Sequence, residues 1–159
     1  MSSNGTYSEL TAPSHTEQFC TFYVGDVLLG IEVVRVQEVI LSQAMTPMPL
    51  ASDVVSGLMN LRGQIVTAID LRKRLGMPPR EDNRAPMHVV VKNGESTYSL
   101  LVDEIGNVVT VDSQNFEQAP ETLSGPAREL TTGVFKLEDQ LLIALDSERA
   151  TTLIDPAND

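Results

Sequence analysis

One stretch of this chain occurs twice in outline, and the duplication constrains the fold more than any single motif. Gly57 to Asp70 reads Gly-Leu-Met-Asn-Leu-Arg-Gly-Gln-Ile-Val-Thr-Ala-Ile-Asp. Moved forward by 76 positions, Gly57, Leu61, Gln64, Ala68 and Asp70 fall on Gly133, Leu137, Gln140, Ala144 and Asp146. Ile65 and Ile69 fall on Leu141 and Leu145. An earlier stretch repeats at a shift of 69: Gly25, Ile31, Val33, Val36 and Val39 fall on Gly94, Leu100, Val102, Ile105 and Val108. Both halves then share one order of hairpin, third strand, connection, hairpin and short helix. Five short strands per half predict an all-β molecule of two small barrels, because closing a sheet removes its exposed edges.

The local signals agree. In Gly57–Asp70 two apolar segments flank Arg62-Gly63, and β-branched residues suit a pleated, half-buried surface. Gly63 supplies the positive φ of a tight turn. Asp70 ends the second strand and caps a short helix over Leu71 to Leu75. Upstream, strands are expected over Phe19 to Val24, Val27 to Val33 and Arg35 to Leu41. A helix over Glu32 to Leu41 is the alternative for the third, since Val33, Val36, Gln37 and Ile40 also fit a helical stripe. Ser52 to Ser56 reads as one helical turn. Gly76 to Ala85, with two prolines and four charges, reads as the junction of the halves, at roughly 76–86. Downstream, strands are expected over Met87 to Val91, Thr97 to Val102, Asn107 to Val111, Leu130 to Leu137 and Gln140 to Leu145. Asp112 to Arg128 reads as a long loop, and Asp146 to Ile154 as a helix. Residues 1–16 read as a flexible tail and 155–159 as a frayed end, leaving 17–154 as the domain.

Composition narrows the function. With 159 residues a core needs neither metal nor disulfide, and one cysteine, Cys20, allows no internal disulfide. Eleven basic against 22 acidic residues give a net charge of −11. Such a surface repels phosphate backbones and anionic lipids, which argues against nucleic acid and membrane insertion. No apolar run approaches the roughly 20 residues of a spanning helix, and the start lacks a secretory signal pattern, so a cytoplasmic protein is expected.

Reactive groups are few. His15 lies in the expected tail, and His88 lies in a strand beside Val89. Cys20 has no basic neighbour and reads as an inert thiol. There is no nucleophile elbow, no metal-ligand spacing and no glycine-rich phosphate loop. No enzyme, catalytic residue, metal or cofactor is therefore expected. Binding remains. Arg62 is the one charge between Asp53 and Asp70, and Glu38 is its candidate partner. Val33-Val34, Val39-Ile40-Leu41 and Val108-Val109 exceed what one buried face needs, and either line the seam between halves or form an exposed groove.

These residues resemble the CheW family of bacterial chemotaxis coupling proteins. The motifs are Gly30-Ile31-Glu32-Val33, Val36-Gln37-Glu38-Val39, Gly57-Leu58-Met59-Asn60-Leu61-Arg62-Gly63, Ile69-Asp70-Leu71-Arg72, Val102-Asp103 and Leu141 to Asp146. The resemblance implies two five-stranded SH3-like barrels and a non-catalytic adaptor. Its partners would be the cytoplasmic tip of a chemoreceptor, the regulatory domain of a CheA-type histidine kinase and, in array rings, other CheW-like domains. Carried over, the kinase-binding residues are Gly57, Asn60 and Arg62. The receptor-binding residues are Ile31, Val33, Val36, Glu38 and Val39. On this view Gly57→Asp should weaken kinase binding and leave the fold intact. The chain departs from many relatives at Ile40-Leu41, Ala68 and Phe135-Lys136, which leaves the pathway open. A pilus, surface-sensing or second-messenger pathway and a purine-binding module are the alternatives.

Overall fold

The computed structural model describes residues 15–49, 51–80 and 84–152. The expected frayed end, most of the expected leading tail and residues 81–83 of the expected junction lie outside the described residues.

The repeat is present strand by strand. The first hairpin of each repeat is β1 (Thr16–Val24) with β2 (Val27–Glu32), and β6 (Met87–Asn93) with β7 (Ser96–Val102). The third strands are β3 (Val36–Ile40) and β8 (Glu104–Asp112). The second hairpins are β4 (Val55–Leu61) with β5 (Gln64–Asp70), and β10 (Thr131–Lys136) with β11 (Leu141–Leu145). Helices α1 (Leu71–Arg74) and α3 (Ser147–Thr151) follow them, capped by Asp70 and Asp146, whose side chains accept from the backbone N–H of Lys73 and Arg149.

The sheets do not follow the sequence halves. A five-stranded sheet runs β3-β6-β7-β5-β4, and a six-stranded sheet runs β8-β1-β2-β11-β10-β9. Each sheet therefore joins the first hairpin of one repeat to the third strand and second hairpin of the other. The exchange is symmetric down to single pairs. Thr67 lies opposite Tyr98 in the parallel pair β5–β7, and Ile143 lies opposite Leu29 in the parallel pair β11–β2. These positions are related by the shifts of 76 and 69. Val39 opposite Val89 likewise matches Val108 opposite Cys20. Both third-strand pairings carry an irregularity at equivalent places, between Val36 and Glu38 and between Cys20 and Phe22. An extra residue of this kind breaks the period of two, so Val39 departs from the alternation expected of a regular strand.

Three expectations are corrected. Val33 leaves the second strand and enters a 3-10 turn, Val33–Arg35, before β3. Ser52 to Ser56 forms no helix; Val55 N–H donates to the Ser52 carbonyl and β4 begins there. The long loop over 112–128 holds a 3-10 turn (Ser113–Asn115), the two-residue strand β9 (Phe116–Glu117) and helix α2 (Gly125–Glu129). No strand pair joins β8 to β9 or β3 to β4 among the described residues, so neither sheet is closed by a ladder.

The largest apolar cluster draws on both sheets: Phe22, Val24, Leu29 and Ile31 meet Ile69, Val89, Val91 and Leu100. Two smaller clusters belong to one sheet each. Phe19, Leu28, Phe135 and Leu142 pack in the six-stranded sheet, and Met59, Leu61, Val66 and Val90 in the five-stranded one. The shared cluster holds the two sheets as one body, since burial of aliphatic area is the main favourable term.

Candidate docking surface

The β4–β5 hairpin turns at Arg62-Gly63, where both residues have positive φ (52° and 85°). This is the twist that fits a two-residue hairpin loop. Asn60 Oδ1 accepts the Gly63 N–H at 2.8 Å and braces the turn. Asn60 and Ile65 face each other across the hairpin and are exposed, while Met59, Leu61 and Val66 point into the core.

β4 is an edge strand, and the chain leaving β3 covers it. Thr46 and Leu58 exchange backbone hydrogen bonds of 2.7 and 2.8 Å, and the Gln43 side chain donates to the Asn60 carbonyl at 3.2 Å. Gly57 sits beneath this crossing. A β-carbon there would lie 2.6 Å from the Thr46 carbonyl oxygen. Gly57 is buried and shapes this edge. The expectation that Gly57→Asp leaves the fold intact is therefore corrected.

The Arg62 guanidinium donates to the Glu38 carboxylate, linking the β4–β5 turn to β3. Arg62 is 74% exposed and Glu38 only 17%, so the pair presents its cationic end outward. Val39, next to Glu38 in β3, is 39% exposed, Leu41 just beyond β3 is 71% exposed, and Ile65, three residues after Arg62, is 61% exposed. Arg62, Glu38, Asn60 and Val39 are thus brought together. Ile31 is not: it is fully buried in the shared core. Val36 is half-buried and packs on the same core, and Val33 is half-buried in the 3-10 turn beside Val34, which is 89% exposed. Val34, Leu41 and Val108 settle as exposed surface, whereas Ile40 and Val109 pack on the smaller clusters. Val34, Leu41 and Ile65 were absent from the expected contact set; the failed alternation at Val33-Val34 and Val39-Ile40-Leu41 was the signal for the first two.

A second polar assembly joins two motifs that sequence reading left separate. Arg72 at α1 donates to both oxygens of Asp103, at 3.3 and 2.7 Å, and to the Pro78 carbonyl at 2.7 Å. The Gly25 N–H, in the β1–β2 turn, donates to Asp103 at 2.6 Å, and Arg80 lies 3.3 Å from its other oxygen. Burial pushes the Asp103 carboxyl up. Hydrogen bonds from Arg72 and Gly25 and the charges of Arg72 and Arg80 outweigh it and hold the group below its ordinary value.

His88 is fully buried, with Nδ1 2.7 Å from the Ser99 hydroxyl and Nε2 lacking a partner among the described residues. Burial lowers its pKa. Cys20 is half-buried, and burial pushes its thiol up. The His88–Ser99 pair is sealed from solvent, both residues being fully buried. Among the described residues, no three His, Cys, Asp or Glu side chains are placed to hold a metal ion, and no helix is long and apolar enough to cross a membrane.

A CheW-like domain model matches residues 18–154, nearly all of the described chain. The chain belongs to the CheW family. It is 28% identical over 149 residues to the chemotaxis protein CheW of Klebsiella aerogenes, covering 94% of this chain and 90% of that one. It is 30% identical over 132 residues to the CheW of Rhizobium meliloti, covering 82% and 85%. The solved structure of the scaffolding protein CheW from Thermoanaerobacter tengcongensis superimposes with a TM-score of 0.79 at 24% identity, covering 87% of this chain and 94% of that one. That likeness shows the mostly-β, two-sheet CheW fold.

Proposed function

We propose that this CheW-family protein is a non-catalytic chemotaxis adaptor that couples chemoreceptors to a CheA-type histidine kinase, working at the cytoplasmic face of receptor arrays. The observation that carries the reading is the Arg62–Glu38 link between β3 and the β4–β5 turn, on strands that also expose Val39 and Ile65. A desolvatable arginine amid aliphatic surface is the composition of a protein-binding hot spot. Asn60 and Arg62 contact the kinase regulatory domain. Val33, Val36, Val39 and Glu38 form the receptor side, with Ile31 supporting them from the core. We read each sheet as an SH3-like barrel, supported by the crossing of the β3 extension onto β4 at Thr46 and by the short passage from β8 through Ser113–Asn115 into β9.

The test is a pull-down of the kinase and receptor with the tagged chain. Arg62→Ala should reduce kinase capture about tenfold, the effect of losing one charge-assisted contact, with the far-ultraviolet dichroism unchanged. Unaltered capture of both partners by a folded Arg62→Ala chain would overturn the reading.

A further inference from the structure

The six-stranded sheet holds a cavity of about 350 Å³ far in chain position from the Arg62 surface. Its apolar wall is a row of three rings. Phe19 and Phe135 have centroids 5.3 Å apart, and Phe135 and Phe116 5.1 Å apart, edge to face. Phe116 lies over Gly133, where a β-carbon would overlap the ring, so glycine is what lets the ring close on β10. The polar part of the lining includes Glu17, Glu32, Asp146 and Ser147.

Ser147 is 97% removed from solvent, yet its hydroxyl finds no hydrogen-bond partner among the described residues. An unpartnered buried hydroxyl is costly, and such groups are rare without a reason. The other repeat shows apolar counterparts. Leu71 follows the cap Asp70 as Ser147 follows Asp146, and Leu101 stands where Glu32 does at the shift of 69; both leucines are buried. At these two equivalent places this end of the molecule has polar groups instead.

We propose that this cavity binds a small organic ammonium, its cationic head on Glu17, Glu32 and the Ser147 hydroxyl and its apolar body against Phe19, Phe116 and Phe135. Carboxylates facing aromatic rings are the two attractions an organic cation can satisfy together. Arg35 also lines the cavity, but its Nε is 3.0 Å from Glu32 and its charge is thereby offset. The hydrogen bond between the carboxyls raises Glu17 and lowers Glu32, which puts the two groups within reach of a single cation. The net charge of −11 favours the approach of a cation. The volume falls at the small end of ligand sites, roughly 300–1,000 Å³.

The probe is phenethylamine, with 2-phenylethanol as its uncharged counterpart, titrated into the full chain and followed by amide NMR shifts. Saturable shifts at Thr132, Phe135 and Ser147 are expected with the amine, at least tenfold tighter than with the alcohol. Ser147→Leu, which copies the other repeat, should abolish them. Absence of saturation, equal binding of the alcohol, or unchanged binding by a folded Ser147→Leu chain overturns the proposal. If that variant does not fold, Glu17→Gln decides: about tenfold weaker amine binding supports the site, and an unchanged titration overturns it.

Discussion

Gly57 and Gly133 occupy equivalent positions and do the same work. Each lets a neighbouring chain segment cross a strand, at the Thr46 carbonyl in one case and at Phe116 and the Glu117 carbonyl in the other. Gly57→Ala should therefore destabilise by about 1–3 kcal/mol, the usual cost of overpacking, seen as a lower urea midpoint. A position of this kind reads as a contact residue in sequence, because an irreplaceable glycine looks the same whether a partner or the chain itself approaches. His88 gives a pH prediction at the same scale. Its folded pKa lies below the ordinary 6.5, so the unfolded chain takes up the proton first. Stability should fall as pH drops below about 6.5 and continue falling until the folded pKa is passed. His88→Phe, the residue of the equivalent position 19, should flatten that fall between about pH 7 and pH 5, as measured by denaturant midpoints.

At the level of elements, the junction of α1, the β1–β2 turn and the end of β7 depends on Asp103. The lowered folded pKa means that its stabilisation is present above the ordinary value near 3.8 and lost as pH falls through the folded value. Asp103→Asn should cost about 2–4 kcal/mol at neutral pH by leaving Arg72 and Gly25 poorly matched. The penalty should shrink in strongly acidic solution, where the wild-type carboxyl is itself protonated. Thermal melts at both pH values check it. The hairpins, caps and turns around this junction were legible in sequence, because Gly25, Gly63, Gly94, Asp70 and Asp146 carry local chemistry that needs no distant partner. The Arg72–Asp103 pair was not, since 31 residues separate its members and no local rule selects one acid over another. Strand β9 escaped for a different reason: two residues, Phe116 and Glu117, are too few to show a period. The strand alternation told which side chains are inside. It left open which hairpin would join which sheet, and so did not show that Ile31, carried over from the resemblance, lies in the core shared by both sheets.

Across the whole molecule, the exchanged hairpins make the two repeats dependent on each other. Residues 1–86 lack β6 and β7, the middle of the five-stranded sheet, and residues 87–159 lack β1 and β2, which lie inside the six-stranded one. Neither fragment should show a cooperative melt by circular dichroism, and mixing the two should restore one. A fragment that folds alone would show that the shared core is dispensable. A polypeptide carrying a single repeat could complete its sheets only by trading hairpins with another molecule. This protein has, in effect, the geometry of a domain-swapped dimer whose two members are joined end to end. The covalent tether replaces a bimolecular encounter with an effective concentration in about the millimolar range, so assembly of the two sheets does not depend on how much of the protein a cell contains.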